Sequence, residues 1–144
     1  MWTFEYSIEV NATREEAWAF WSNVANWVRV DPAVEWARLD GAFESGTCGE
    51  TKPFGAPANA WQLADVDAGR QAVIDLRVPG AQVRFRWRFA DGSDGGAVLT
   101  QVVEVSRETA DQHREGLEAL AAGIPLGMHK LATAITHAVG RPPN

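Results

Sequence analysis

The last third of the chain carries one long apolar stripe, which constrains the fold more than any other feature. Between Thr109 and Val139, apolar side chains recur with the 3.6-residue period of an α-helix. Thr109 followed by Gln112 resembles a capping box and Gly140 follows the stripe, so we predict one helix of about eight turns. Such a helix requires a long apolar surface to cover it. The stripe consists of Leu117, Leu120, Ala121, Ile124, Met128, Leu131, Ala132, Ile135 and Val139.

A proline interrupts this predicted helix. Pro125 lies between Gly123 and Gly127, and an interior proline removes a backbone hydrogen bond at a cost of about 3 kcal/mol. The pattern therefore predicts a kink at this point. The kink has two interpretations, a static bend that follows a curved sheet or a weak point that opens to admit a ligand.

The first two thirds of the chain alternate like β-strands. Residues 2–10 place apolar side chains strictly on one face, and further strands are predicted at the segments given below. Gly46 and Gly49 favour a bulged or tightly bent second extended piece, because glycine accepts the backbone angles of a bulge. Turn-forming residues at 67–69, 79–80 and 91–96 separate the later strands. The predicted strands are 34–39, 43–53, 61–67, 72–78, 82–89 and 97–107.

One further helix is predicted after the first strand. Thr13 and Glu16 form a capping-box pattern, and apolar residues follow at helical spacing from about Arg14 to Trp27. Asp31 followed by Pro32 ends the pattern, because the residue before a proline is disfavoured in a helix. The resulting order is strand, helix, five or six strands and one long helix.

This order resembles the START-like (SRPBCC) superfamily, which includes polyketide cyclase/dehydratase-like and lipid-transfer-like proteins. The resemblance covers nearly the whole chain and implies an α+β helix-grip fold as a single domain over residues 1–144. In that fold, a curved antiparallel sheet of about seven strands wraps around the C-terminal helix, two short N-terminal helices close one end, and a cavity lies inside. The segments that carry the resemblance are Val10-Asn11-Ala12 with Glu15-Glu16-Ala17-Trp18, Asn26-Trp27 with Asp31-Pro32-Ala33-Val34, Phe43-Glu44-Ser45-Gly46-Thr47-Cys48-Gly49, and Gly127-Met128 with Leu131.

Candidate ligand-binding residues come from the inner faces of the sheet and of the long helix. In residues 83–89, aromatic side chains alternate with Arg84, Arg86 and Arg88, so the rings are predicted to face inward and the arginines to pair with outer carboxylates such as Asp75 or Glu104. The rings then either line a cavity or pack directly against the helix. The predicted ligand-binding set is Trp61, Leu76, Phe85, Trp87, Phe89, Gln101, Leu120, Ile124 and Met128.

The sequence leaves open whether the protein catalyses a reaction. A buried carboxyl group with a raised pKa could act as a general acid, and Thr100, Gln101, Asp65 and Glu35 are polar side chains that could point into a cavity. Among the histidines, only His113 and His129 lie where they could face inward. No catalytic residue is assigned.

Composition argues against several other functions. The net charge of −6 and the pI near 5.0 would repel a phosphate backbone, so no nucleic acid partner is expected. Cys48 is the only cysteine and the histidines lie 16 and 8 residues apart, so no metal is expected. The sequence has neither a P-loop nor a dinucleotide-binding fingerprint, so no other cofactor is expected. No apolar stretch reaches the roughly 18 residues of a membrane span and no signal peptide is evident, which predicts a cytoplasmic protein without stable membrane insertion.

Three functional hypotheses follow. The first is a carrier that binds a small hydrophobic molecule, which is lipid-like, polyketide-like or aromatic, in a cavity between the sheet and the C-terminal helix. The second is a polyketide cyclase/dehydratase-like enzyme that uses acid/base chemistry in the same cavity. The third is a protein-interaction or regulatory module of the same fold, for which an exposed apolar patch would be the sign. The protein is expected to act as a monomer or a homodimer.

Overall fold

The computed structural model describes residues 1–78 and 81–142, and the turn predicted at 79–80 lies outside the described residues. Seven antiparallel strands form one sheet in the order β1-β7-β6-β5-β4-β3-β2, which together with the long C-terminal helix confirms the helix-grip prediction. The strands are β1 (Trp2–Val10), β2 (Val34–Leu39), β3 (Cys48–Pro53), β4 (Asn59–Asp67), β5 (Gln71–Val78), β6 (Ala81–Asp91) and β7 (Ala97–Val105). The helices are α1 (Arg14–Trp21), α2 (Trp27–Val30), α3 (Arg107–Gln112) and α4 (Arg114–Ala138), with 3-10 turns at Val24–Asn26 and Ser93–Gly95.

The alternation along β6 determines the two faces of the sheet, as predicted. Phe89 is buried on the inner face, whereas Arg84 on the outer face forms two hydrogen bonds of 2.8 and 3.0 Å to the carboxylate of Asp75. Arg86 pairs with Glu104 at 3.1 Å in the same way. The outer face is therefore a ladder of charged pairs, and the aromatic side chains of β6 point toward α4 and the N-terminal helices.

The N-terminal helical segment is shorter than predicted. The capping box at its start is confirmed, because the Glu16 amide donates to Thr13 Oγ1 at 3.0 Å and the Thr13 amide donates to Glu16 Oε1 at 2.9 Å. The helix expected to reach Trp27 instead ends at Trp21. The side chain of Asn26 donates to the Phe20 carbonyl at 2.9 Å, and this bond folds the chain back into the 3-10 turn before α2. Two short helices result, as the family resemblance implied.

The C-terminal helical region also differs from the prediction. Its N-cap is Ser106, three residues before the predicted cap Thr109, so the capping box predicted at Thr109 and Gln112 is wrong. The first helical residue is Arg107, and the helix breaks at His113 into α3 and α4. The break arises because His113 adopts φ −126° and ψ 29°, outside the helical range. Pro125 lies within the uninterrupted α4, and Gly140 follows the helix with a positive φ of 72°. The apolar stripe is correct in phase, since Leu117, Ile124, Met128, Leu131 and Ile135 are all buried.

The segment predicted as a strand from 43 to 53 forms a strand only from Cys48 onward. The residues before it make an irregular connection in which Gly46 adopts a φ of 95° and donates its amide to the Leu63 carbonyl at 2.6 Å. No bulge occurs at Gly49, which pairs in register with Trp61; the register shifts of this region lie between Val34 and Trp36 and between Leu63 and Asp65. Gly49 is needed for a different reason, which concerns the ring of Trp61 and is described below.

The helices cover the sheet unevenly. The long α4 packs mainly against β1, and α2 with the 3-10 turn before it packs against β2 at the opposite edge. Between these two contacts, the inner face of the middle strands has less covering. No helix in the described part of the chain is long and apolar enough to cross a membrane.

Candidate functional site

A cavity of about 480 Å³ lies where the helices leave the inner face of the sheet uncovered. Its floor is formed by Ile74 and Leu76 of β5 and by Phe85 of β6. In the sheet, Ile74 is paired with Phe85, so their side chains lie side by side on the inner face. The volume falls within the roughly 300–1,000 Å³ of small-molecule sites.

Four tryptophans wall this cavity in a connected series. The Trp61 and Trp27 rings lie 5.2 Å apart between centroids, Trp27 and Trp21 lie 6.1 Å apart, and Trp21 and Trp87 lie 5.0 Å apart. The indole nitrogen of Trp27 donates to the Trp21 carbonyl at 2.7 Å, which fixes the ring of Trp27 against the end of α1. Because each ring contacts its neighbour, the wall is rigid and strongly apolar.

The ring of Trp61 is held by two features of β3. At Gly49, an added Cβ atom would lie 2.4 Å from two carbons of the Trp61 ring, so only glycine leaves space for the ring there. At Thr51, the hydroxyl oxygen accepts a 2.9 Å hydrogen bond from the indole nitrogen of Trp61. The Trp61 ring is thereby held against β3, where it lines the cavity.

The middle of α4 forms the opposite side of the cavity, at the turn that contains Pro125. Gly123, Leu126 and Gly127 line it, and Leu126 has 61% of its surface exposed although it is a large apolar residue. With no side chain at positions 123 and 127, the helix presents bare backbone to the cavity. This turn of α4 therefore forms part of the rim.

Few polar groups reach the cavity wall. They are Asp31, Thr51, Asn59 and Lys130, of which Asp31 and Lys130 are exposed to solvent. Asp31 Oδ1 accepts a 2.9 Å hydrogen bond from the Ala33 amide, which orients the carboxylate at the end of α2. The arrangement offers one carboxylate and one ammonium group at the edge of an apolar space.

Groups with a displaced pKa lie away from this cavity. Hydrogen bonding to Glu50 raises the pKa of the Arg38 guanidinium, and hydrogen bonding to Asp75 raises the pKa of Arg84; neither arginine lines the cavity. In the described residues, no group of three His, Cys, Asp or Glu side chains is placed to hold a metal ion. The cavity therefore offers mainly an apolar surface for binding.

The structure brings four of the predicted ligand-binding residues to the cavity wall, namely Trp61, Leu76, Phe85 and Trp87. Phe89 lies behind the wall, with its ring 5.2 Å from that of Trp21.

The other predicted residues are not part of the wall. Ile124 and Met128 are buried in the core, Leu120 packs against that core, and Gln101 lies on the inner face between Tyr6 and Trp87 of the neighbouring strands.

Sequence reasoning missed Trp21 and Trp27. The apolar spacing of residues 14–27 suggested one continuous helix, in which Trp21 belonged to the apolar face and Trp27 was only the last residue. The signal that could have identified them is the asparagine pair Asn23 and Asn26, which ends α1 and turns the chain so that both tryptophans face the cavity.

Comparison with solved structures places this fold among known proteins. Truncated norcoclaurine synthase from Thalictrum flavum is 16% identical over 96% of this chain and 92% of its own, with a TM-score of 0.71. The Zhui aromatase/cyclase from Streptomyces sp. R1128 is 16% identical over 96% of this chain and 95% of its own, with a TM-score of 0.71. The di-domain ARO/CYC StfQ from the steffimycin biosynthetic pathway is 15% identical over 96% of this chain and 51% of its own, with a TM-score of 0.76.

These identities establish a shared fold, while family membership follows from the sequence itself. No curated protein matches the sequence. The family model described as polyketide cyclase / dehydrase and lipid transport matches residues 1–136, which is nearly the whole chain. The protein belongs to the polyketide cyclase / dehydrase and lipid transport family.

Proposed function

We propose that this protein binds a small hydrophobic molecule with an aromatic or otherwise flat ring system in the cavity beneath α4. The observation that carries the proposal is the connected series of Trp61, Trp27, Trp21 and Trp87 around a volume of about 480 Å³. Indole rings offer large apolar faces that pack well against flat ligands. Of the residues predicted from the sequence, Trp61, Leu76, Phe85 and Trp87 are proposed as ligand contacts.

Transfer of the ligand out of water supplies the binding free energy. A ligand that buries about 300 Å² of apolar surface gains roughly 7.5 kcal/mol at about 25 cal/mol per Å². The loss of translational and rotational freedom offsets part of this gain. Preformed walls reduce the remaining cost, because the rings of Trp27 and Trp61 are already held by their hydrogen bonds to the Trp21 carbonyl and to Thr51.

A cyclase or dehydratase activity in the same cavity is the second candidate. The family description supports it, and Asp31 with Lys130 supplies one acidic and one basic side chain on the cavity wall. We favour a carrier, because both groups are exposed to solvent, whereas proton transfer is efficient when burial tunes the pKa toward neutrality. Liquid chromatography with mass spectrometry distinguishes the two: a dehydratase product is lighter than its substrate by one water, a cyclase product of unchanged mass elutes differently from its substrate, and a carrier returns the same molecule.

A pair of glycine substitutions on the same helix tests the proposed cavity. An added Cβ meets nothing within 4 Å at either Gly127, which lines the cavity, or Gly116, which does not. Gly127→Leu should fill part of the cavity and weaken binding of the neutral dye phenylnaphthylamine about tenfold or more, as expected for lost apolar burial of about 1.4 kcal/mol. Gly116→Leu should bind the dye like the wild type.

Two results of the dye titration would count against the proposed site. Equal affinity of the Gly127→Leu and Gly116→Leu variants, or no binding to the wild type, would contradict the cavity as the binding site. Native mass spectrometry of protein purified from its own host then identifies a retained molecule. A cytoplasmic location, a monomeric or homodimeric state and the independence from metals and cofactors stay predictions.

A further inference from the structure

A second concave surface adjoins the cavity on the far side of Val30 and Lys130, which line both spaces. This surface, which we term the basic groove, runs along α4 beside the N-terminal helices and encloses about 880 Å³. The α4 side contributes Lys130, Thr133 and His137, which recur at helical spacing on one face. Arg29 of α2 lines the groove as well.

The charge of the groove is opposite to that of the protein. The protein carries a net charge of −6, yet the groove is lined by Arg29, Lys130, His129 and His137, and among the described residues no carboxylate lines it. Asp31, the neighbouring acid, lines the cavity and not the groove. In a protein of 19 acidic and 13 basic residues, such a surface concentrates anions locally.

The cationic groups of the groove are free to bind. Among the described residues, neither Arg29 nor Lys130 takes part in an ion pair. Arg29 uses only Nη1, which donates to Asn26 Oδ1 at 3.3 Å and leaves the rest of the guanidinium fork available. Of the two histidines that line the groove, His129 and His137, the ring of His129 already forms a hydrogen bond of 3.1 Å with the Tyr6 hydroxyl.

We propose that the ligand is an anionic amphiphile, with its apolar ring system in the cavity and a carboxylate, sulfonate or phosphate group in the basic groove. The inference rests on the proposed function and names the class of ligand for that site. Lys130 stands between the two spaces and contacts the anion where it leaves the rings, and Arg29 binds it from the opposite wall. Guanidinium and ammonium groups together form charge-assisted hydrogen bonds with such anions.

Two dyes of nearly the same shape test the inference. Anilinonaphthalene sulfonate carries a sulfonate, and phenylnaphthylamine is the same ring system without it. Wild-type protein should bind the sulfonate about tenfold more tightly at low salt, and this advantage should shrink as sodium chloride screens the charges. Both titrations use the folded 144-residue chain and follow the fluorescence of the dye.

Arg29→Gln is the decisive variant, because Arg29 lines the groove and not the cavity. It should weaken binding of the sulfonate roughly two- to fivefold, as expected for one exposed ion pair, and leave the neutral dye unchanged. Adding Lys130→Gln should increase the loss for the sulfonate to roughly five- to tenfold, which removes most of its advantage over the neutral dye. Arg70→Gln is the matched control, because it removes the same charge from an exposed position in the turn between β4 and β5 that does not line the groove.

The possible outcomes test the groove separately from the cavity. Loss of sulfonate affinity alone in Arg29→Gln, with Arg70→Gln unchanged, supports the groove. Equal affinities for the two dyes, or equal losses in Arg29→Gln and Arg70→Gln, overturn the groove while the cavity stands. Failure of both dyes to bind the wild type overturns the groove together with the proposed function.

Discussion

The indole ring of Trp61 lies directly over the backbone of Gly49, at a distance that no side chain at position 49 could share. An added Cβ would stand 2.4 Å from two ring carbons and 2.8 Å from the Arg38 carbonyl oxygen of the neighbouring strand. The Arg38 carbonyl belongs to the backbone of the sheet and cannot shift easily, so a side chain at position 49 would displace the Trp61 ring. The glycine on β3 thus determines where the first tryptophan of the cavity wall lies.

Gly49→Ala should therefore destabilise the protein by about 1–3 kcal/mol, as overpacking does, and weaken dye binding through displacement of Trp61. Urea denaturation gives the free energy of unfolding. Gly116→Ala is the control, because position 116 lies in open space on α4, and it should stabilise the helix by about 0.5–1 kcal/mol. A Gly49→Ala protein as stable as the wild type would contradict this prediction, because it would show that the Trp61 ring can shift without loss of stability.

Trp87→Ala compared with Phe89→Ala measures how far the Trp87 ring belongs to the cavity. Phe89 is only 3% exposed, so its loss should cost about 3–5 kcal/mol. Trp87 is half-buried and borders the open cavity, so its loss should cost less than about 3 kcal/mol while dye affinity falls. Chemical denaturation decides, and an equal or larger cost for Trp87→Ala would place its ring in the packed core.

Pro125→Ala tests whether the rim of the cavity opens at α4. The substitution restores the missing backbone donor between Gly123 and Gly127, two residues that line the cavity, and should stiffen this turn. Stopped-flow mixing should show slower uptake and slower release of a neutral dye, with much less change in equilibrium affinity. Rates identical to the wild type in a straighter helix would instead support a static bend.

Glu16 should give the protein part of its acid sensitivity. Its bond from the Thr13 amide, and secondly its bond from Arg141, lower the pKa of Glu16 below its usual 4.5. A lowered folded-state pKa stabilises the protein above pH 4.5, and that contribution is lost as pH falls through the lowered value.

Glu16→Gln should therefore show a smaller drop in Tm than the wild type between neutral pH and about pH 3, because glutamine keeps the capping geometry without titrating. Glu118→Gln, which removes an exposed carboxylate of α4, is the control and should follow the wild type. A wild-type pH profile in the Glu16→Gln protein would contradict the assignment.

Local patterns in the sequence located most of the elements and the faces of the strands. The alternation of β6 separated Trp87 from Arg86, and the capping box located the start of α1 at Thr13, because both depend on residues a few positions apart. The same local reasoning extended α1 beyond Trp21 and missed the break at His113. Both errors occur where a side-chain bond or a single backbone angle, and not apolar spacing, ends the helix.

Only the tertiary structure decided which apolar residues form a wall and which form the core. Helical phase correctly turned Ile124 and Met128 inward, but phase gives direction around the helix axis and not distance from the sheet. Because α4 packs mainly on β1, these two residues are buried among core side chains, while the middle strands stay uncovered near Trp61 and Trp87. The sequence by itself determined a sheet with a helix across it; the position of that helix on the sheet determined the cavity.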